Sequence, residues 1–204
     1  LIRADERPCQ YHNNCSGKHA AMLALAKHVE SDVNTYELLE NPVQQKILDT
    51  VSRFTEIPAN KIKIGIDGCC APNFAVPLQA MAVSFINLMR PDKFDQTTRS
   101  ACERIVSAMM KFPELIGGTE RLDTILMQAA EGKIISKVGA DGVWLCGVLP
   151  SEQYPTGLAI ALKIEDGNDY RARPVVAVDV LQKLSVLSSD LLPELSPMPI
   201  KNRR

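Results

Sequence analysis

Apolar positions recur at helical spacing over much of the chain. Residues 16–29 predict a helix with Ser16 as its N-cap, and Pro42 begins a second helix that runs to Phe54. Further helices are predicted over residues 76–89, 96–111 and 119–130.

Two parts of the chain alternate apolar and polar residues, as strands do. The stretch KIKIGIDG predicts a strand that ends in a turn at Asp67 and Gly68. KIISKVGADGVWLCGVL predicts two strands joined by a hairpin at residues 139–142, and TGLAIALKIED predicts a third. A closing helix is expected from Arg173 to Leu187. This order predicts an α+β fold with a helical region packed on an antiparallel sheet.

The composition is that of a globular protein, and the near-neutral charge favours a small molecule as its binding partner. The chain has 204 residues, 46% of them hydrophobic, and a formal net charge of −1. One domain over residues 1–204 is expected. No basic run supports nucleic-acid binding, and no apolar run is long enough to span a membrane. Six irregularly spaced cysteines indicate free thiols in a reducing cytoplasm.

The motif HNNCSGKHAAML crowds chemically active side chains into one helix start. Cys15 and Lys18 are three positions apart, so they share a helix face beside amide groups that favour a thiolate. A thiolate there is a metal ligand or a nucleophile. Taken alone, a small core cysteine and a solvated lysine are the commoner explanation. His12 and His19 are alternative metal ligands.

The motif GIDGCCAPNFAVPL contains a second group of such residues. Gly68 predicts a sharp turn that exposes Cys69, and Asp67 either forms an Asx turn or orients a ligand, water or amine. Combined with Cys15 and Lys18, this motif predicts an open zinc site with room for water or substrate.

Lys137, in KVGADG, is the third candidate. It precedes Gly139 near a strand end, where a substrate backbone can approach closely. An exposed hairpin lysine is the commoner explanation for so short a pattern.

The three motifs together resemble the asparaginase II family of the Rhizobium etli type, which hydrolyses L-asparagine to L-aspartate and ammonia. The resemblance implies a fold similar to serine β-lactamases and penicillin-binding proteins. It also implies a homodimer that binds a small-molecule substrate, L-asparagine, in the cytoplasm. It further implies zinc held by Cys15, Lys18 and Cys69. Asp67 would then bind water on the metal, with His19 close by.

Serine–lysine chemistry is also implied, with Lys137 in the pair that activates the nucleophile. In the family the nucleophilic serine lies upstream of the HNNCSGKH motif, whereas no serine precedes His12 here. The chain is therefore expected to be a C-terminal portion lacking its N-terminal part, and inactive alone.

Two alternatives remain open at the level of the sequence. One is a non-catalytic module that keeps the pocket and binds asparagine or metal. The other is a hydrolase that uses Cys15 or Cys69 directly as its nucleophile.

Overall fold

The structure, a computed structural model, describes residues 3, 5–190 and 192, and it divides into two compact units, Leu1–Val76 and Pro77–Arg204. Within the described residues the helices are α1 (Ser16–His28), α2 (Pro42–Thr55), α3 (Leu78–Met89), α4 (Gln96–Lys111), α5 (Pro113–Gly117), α6 (Leu122–Ala129) and α7 (Arg173–Lys183). The strands are β1 (Lys63–Ile66), β2 (Pro72–Ala75), β3 (Ile134–Gly139), β4 (Val143–Val148) and β5 (Leu158–Lys163).

The first unit packs two helices beside a short hairpin. Its small core consists of Met22 and Ala26 from α1, Val43 from α2, and Ala71 from the hairpin turn. Helix α2 starts where the sequence predicts, because the Asn41 side chain accepts a hydrogen bond from the Val43 amide at 2.9 Å.

Strands β1 and β2 pair antiparallel, with Lys63 opposite Ala75 and Ile66 opposite Pro72. The first of these strands was predicted and the second was not. The hairpin matters because its turn carries Asp67 and Cys69.

The second unit is built on a three-stranded antiparallel sheet in the order β3-β4-β5. Strand β4 lies in the centre, with Trp144 opposite Val138 of β3 and opposite Leu162 of β5. Helices α3, α6 and α7 pack on this sheet. Its largest fully buried apolar side chains are Trp144, Leu126, Ile134, Ile135 and Leu181.

The β3-β4 turn depends on left-handed backbone at two residues. Asp141 has a φ of 57° and Gly142 a φ of 79°. A Cβ on Gly142 would lie 2.9 Å from the Ile164 carbonyl oxygen, so a side chain there would be both strained and crowded.

The predicted α+β class and the helix-to-strand order are confirmed. Several details of the prediction are wrong. Helix α3 begins at Leu78 rather than at residue 76, and α6 spans Leu122–Ala129 rather than residues 119–130. Cys15, not Ser16, is the N-cap of α1, and α7 ends at Lys183 rather than Leu187. Three expectations stay predictions. They are the serine β-lactamase-like architecture, the absence of an N-terminal part, and a single domain over residues 1–204. Among the described residues, no helix combines the length and apolar character needed to cross a membrane.

Candidate metal centre

The start of α1 is shaped by its own polar side chains. Asn13 Oδ1 accepts a hydrogen bond from the Cys15 amide at 2.8 Å, and its carbonyl accepts one from the Ser16 amide at 3.0 Å. Ser16 Oγ donates to the Tyr11 carbonyl at 3.2 Å. Ser16 is therefore engaged with the preceding turn, while Cys15 occupies the N-cap position of the helix.

His12 does not join the site, although the sequence allowed it as a ligand. Its Nδ1 accepts the Cys9 amide at 2.9 Å and lies 3.4 Å from the Cys9 sulfur. These contacts form at one short helical turn, Gln10–His12, and among the described residues His12 does not belong to the group that could hold a metal ion.

The β1-β2 turn presents the second half of the site. The Asp67 amide donates to the Ala71 carbonyl at 2.9 Å, and the Cys70 amide donates to the Asp67 carbonyl at 2.9 Å. The left-handed residue of this turn is Cys70, with a φ of 72°. Cys69, just before it, is half-buried and faces the site.

The motifs HNNCSGKHAAML and GIDGCCAPNFAVPL bring their candidate ligands close together in the structure. One sulfur each from Cys15 and Cys69 and a carboxylate oxygen of Asp67 lie within 4.8 Å of one another. Lys18 Nζ donates to Asp67 Oδ2 at 3.4 Å, with both side chains 40% exposed. Four side chains from two distant segments thus surround one point that solvent can reach.

These side chains change one another's protonation. Burial raises the pKa of Cys15, although the Lys18 ammonium opposes the shift. Burial also acts against ionisation of Cys69, but the nearby His19 ring, the Ala71 amide and Lys18 lower its pKa to about 7. Cys69 is therefore the thiol that ionises near neutral pH.

The two charged partners stabilise each other. The Gly68 amide and the Lys18 ammonium lower the pKa of Asp67. Burial works to lower the pKa of Lys18, but the thiols of Cys69 and Cys15 and the Asp67 carboxylate outweigh it, so this pKa is raised. Lys18 is thus an ammonium in the metal-free protein, and a metal would have to displace its proton.

The donor set fits zinc. Two thiols with an oxygen or nitrogen donor are typical zinc ligands, and on a tetrahedral ion neighbouring sulfurs lie about 3.8 Å apart. The observed group, whose three donor atoms all lie within 4.8 Å of one another, is compatible with that spacing. Its partial exposure leaves space for a water or a substrate atom, as in zinc sites that are catalytic.

His19 is close to this group without being part of it. It follows Cys15 by one helical turn, its Nδ1 lies 2.6 Å from the Tyr36 hydroxyl, and its Nε2 is buried. Tyr36 lies in the α1-α2 connection, and sequence reasoning missed it because nothing local marks it as a partner of His19.

Lys137 lies on β3 in the second unit. Its Nζ donates to the Val138 carbonyl at 2.7 Å and is 3.7 Å from Oδ2 of Asp123, which is fully buried. Asp123 was also missed, although a carboxylate on the apolar face of a helix is itself a sequence signal. Close packing explains why position 139 is a glycine, since a Cβ there would lie 3.1 Å from the Val143 Cβ.

Comparison with known protein families gives one match over the whole chain. The family model of L-asparaginase II matches residues 1–204. No curated protein matches the chain.

Proposed function

Since this chain belongs to the L-asparaginase II family, we propose that it supplies the metal and substrate side of an enzyme that hydrolyses L-asparagine to L-aspartate and ammonia. The observation that carries the proposal is the meeting of Cys15, Asp67 and Cys69 at one partly exposed point, with Lys18 beside them. An ordinary structural cysteine would be buried among apolar side chains, as Cys102 and Cys146 are.

Zinc would be held by Cys15, Cys69 and Lys18, and when bound it would supply a positive charge that orients and polarises water or the substrate. Asp67 would accept a hydrogen bond from that water or from the substrate's ammonium group. The turn amide of Gly68 already holds this carboxylate in place at 2.8 Å. His19 would close the buried side of the site.

Serine–lysine chemistry would complete the reaction. Lys137 would take a proton from the nucleophilic serine, which then attacks the side-chain amide carbon of asparagine. Ammonia leaves, and water releases aspartate from the serine ester.

Zinc content of the purified chain tests the metal part directly. We expect about one zinc per chain by mass spectrometry, and loss of that zinc in Cys69→Ser, because two thiolates are needed to hold the ion. Cys70→Ser is the matched control, since Cys70 is the next residue but is exposed and outside the group.

A chain that contains no zinc under these conditions would contradict the proposed centre. Equal loss of zinc in Cys69→Ser and Cys70→Ser would show that the turn, rather than the Cys69 sulfur, is what the site requires.

A further inference from the structure

The contact between His19 and Tyr36 is short and well oriented. Nδ1 and the hydroxyl oxygen are 2.6 Å apart, and the two rings meet edge to face at 87°. Tyr36 is itself anchored, because its carbonyl accepts a hydrogen bond at 2.8 Å from the buried Gln44 side chain of α2. The Tyr36 hydroxyl is therefore held beside Nδ1 of the His19 ring.

The other ring nitrogen of His19 lacks a hydrogen-bond partner among the described residues. Nε2 is buried, and no described residue gives it a hydrogen bond of acceptable geometry. A buried polar nitrogen without a partner costs free energy, so its presence beside a site of thiols calls for a reason. Tyr36 and Cys69 both pack against the small core of the first unit, so the histidine, the tyrosine and the thiol share one region.

We propose that Tyr36 is a positioning residue of the metal centre. Its hydroxyl would donate to His19 Nδ1 and so keep the ring hydrogen on Nε2, and the Cys69 sulfur is the acceptor that we assign to that buried N–H. This inference rests on the zinc site of the proposed function and extends it to a residue outside the ligand set.

The protonation of the site agrees with this arrangement. Among the groups around Cys69, the His19 ring contributes most to lowering the pKa of this thiol. A donor to the thiolate favours the charged form, which is the form that binds metal. Partners that orient a metal ligand in this way change metal affinity about 10- to 100-fold when they are removed.

Competition with a chromophoric chelator measures the effect on zinc. We expect Tyr36→Phe to bind zinc about 10-fold more weakly than the wild-type chain. The ring and the backbone carbonyl stay, so packing and the Gln44 contact are kept. Tyr11→Phe is the matched control: Tyr11 also lies near α1 but is 87% exposed, and its affinity should be that of the wild type.

A double-mutant cycle separates positioning from a general structural effect. In a His19→Ala background, Tyr36→Phe should cause no further loss of affinity, because the hydroxyl then has no ring to orient. With cobalt(II) in place of zinc, the sulfur-to-metal charge-transfer band should shift in Tyr36→Phe and stay unchanged in Tyr11→Phe.

Two results would overturn the inference while leaving the zinc site intact. One is equal zinc affinity for Tyr36→Phe and wild type. The other is the same loss in the presence and absence of His19. If the wild-type chain itself binds no zinc, the proposed metal centre fails, and the inference fails with it.

Discussion

Asp123 connects three secondary-structure elements through one buried carboxylate. Oδ1 accepts the Ser136 hydroxyl at 2.7 Å, and Oδ2 accepts the Val138 amide at 2.9 Å. Ser136 Oγ in turn accepts the Trp144 indole N–H at 2.9 Å. Helix α6 and strands β3 and β4 are therefore joined through a fully buried carboxylate, whose Oδ2 also lies 3.7 Å from Lys137 Nζ.

Replacing Asp123 by Ala should lower the free energy of unfolding by about 3 kcal/mol. The reason is that the Ser136 hydroxyl and the Val138 amide would each lose a buried acceptor. Urea unfolding followed by circular dichroism measures the difference.

Asp92→Ala is the control for this change, because Asp92 pairs with Arg90 at the surface with 70% of its side chain exposed. Its effect should stay below about 0.5 kcal/mol. A loss of that small size for Asp123→Ala as well would show that water or a local shift satisfies the two donors.

At the scale of single residues, the sequence identified those whose chemistry is unusual for their local pattern. Cys15, Lys18 and Cys69 stand in crowded motifs, and these motifs meet in the structure. Tyr36 and Asp123 were missed because their partners are His19 and strand β3, which are distant in the chain. A hydrogen bond between distant segments leaves no local pattern to detect.

Helix α1, which carries Cys15, Lys18 and His19, ends in a strained turn. Glu30 adopts a left-handed φ of 54°, and the Ser31 amide donates to the Ala26 carbonyl at 2.8 Å. This is the helix ending at which glycine is usual. An acidic side chain also lies unfavourably near the negative end of the helix dipole.

Glu30→Gly should raise the free energy of unfolding by about 0.5 kcal/mol, because the strain at Cβ disappears and the negative charge is removed. The midpoint of urea unfolding measures it. Glu30→Ala is the matched control, since it removes the charge and keeps the Cβ, so it should stabilise less than glycine. A glycine variant no more stable than the alanine variant would contradict the role of backbone strain.

Elements with a clear periodic pattern were predicted to within a few residues, whereas β2 and α5, which have no such pattern, were not. Helix α4 spans Gln96–Lys111, as the sequence indicates, with Asp95 as its N-cap. Strand β2 has only four residues and begins with a proline, so it has no alternation to recognise and exists through its pairing with β1. Helix α5, Pro113–Gly117, is a single short turn beside a glycine pair.

For the whole molecule, composition was a poor guide to organisation. The two compact units meet in the chain at Val76 and Pro77, where no Gly/Ser-rich linker or change in composition marks a boundary. The division depends on which contacts form within each unit, and these follow from tertiary packing. It assigns the proposed zinc ligands to the first unit and Lys137 to the second.

Zinc should therefore protect the first unit against amide hydrogen exchange. A ligand that binds only the folded unit stabilises it by about 2.7 kcal/mol at 100 times its dissociation constant, which slows exchange through unfolding about 100-fold. We expect slowing in α1 and in the β1-β2 turn, because binding ties these segments together. The second unit, which contributes none of the proposed ligands, serves as the internal reference within each sample.

Mass spectrometry of peptic fragments, with and without zinc, resolves the two segments. Cys69→Ser should abolish the zinc-dependent protection, whereas Cys70→Ser should keep it, since only the Cys69 sulfur belongs to the group. Unchanged exchange in both segments of the wild-type chain at saturating zinc would mean that the ion does not bridge the two motifs. Protection of α1 alone would restrict the ligands to Cys15 and Lys18 and leave the hairpin turn outside the metal centre.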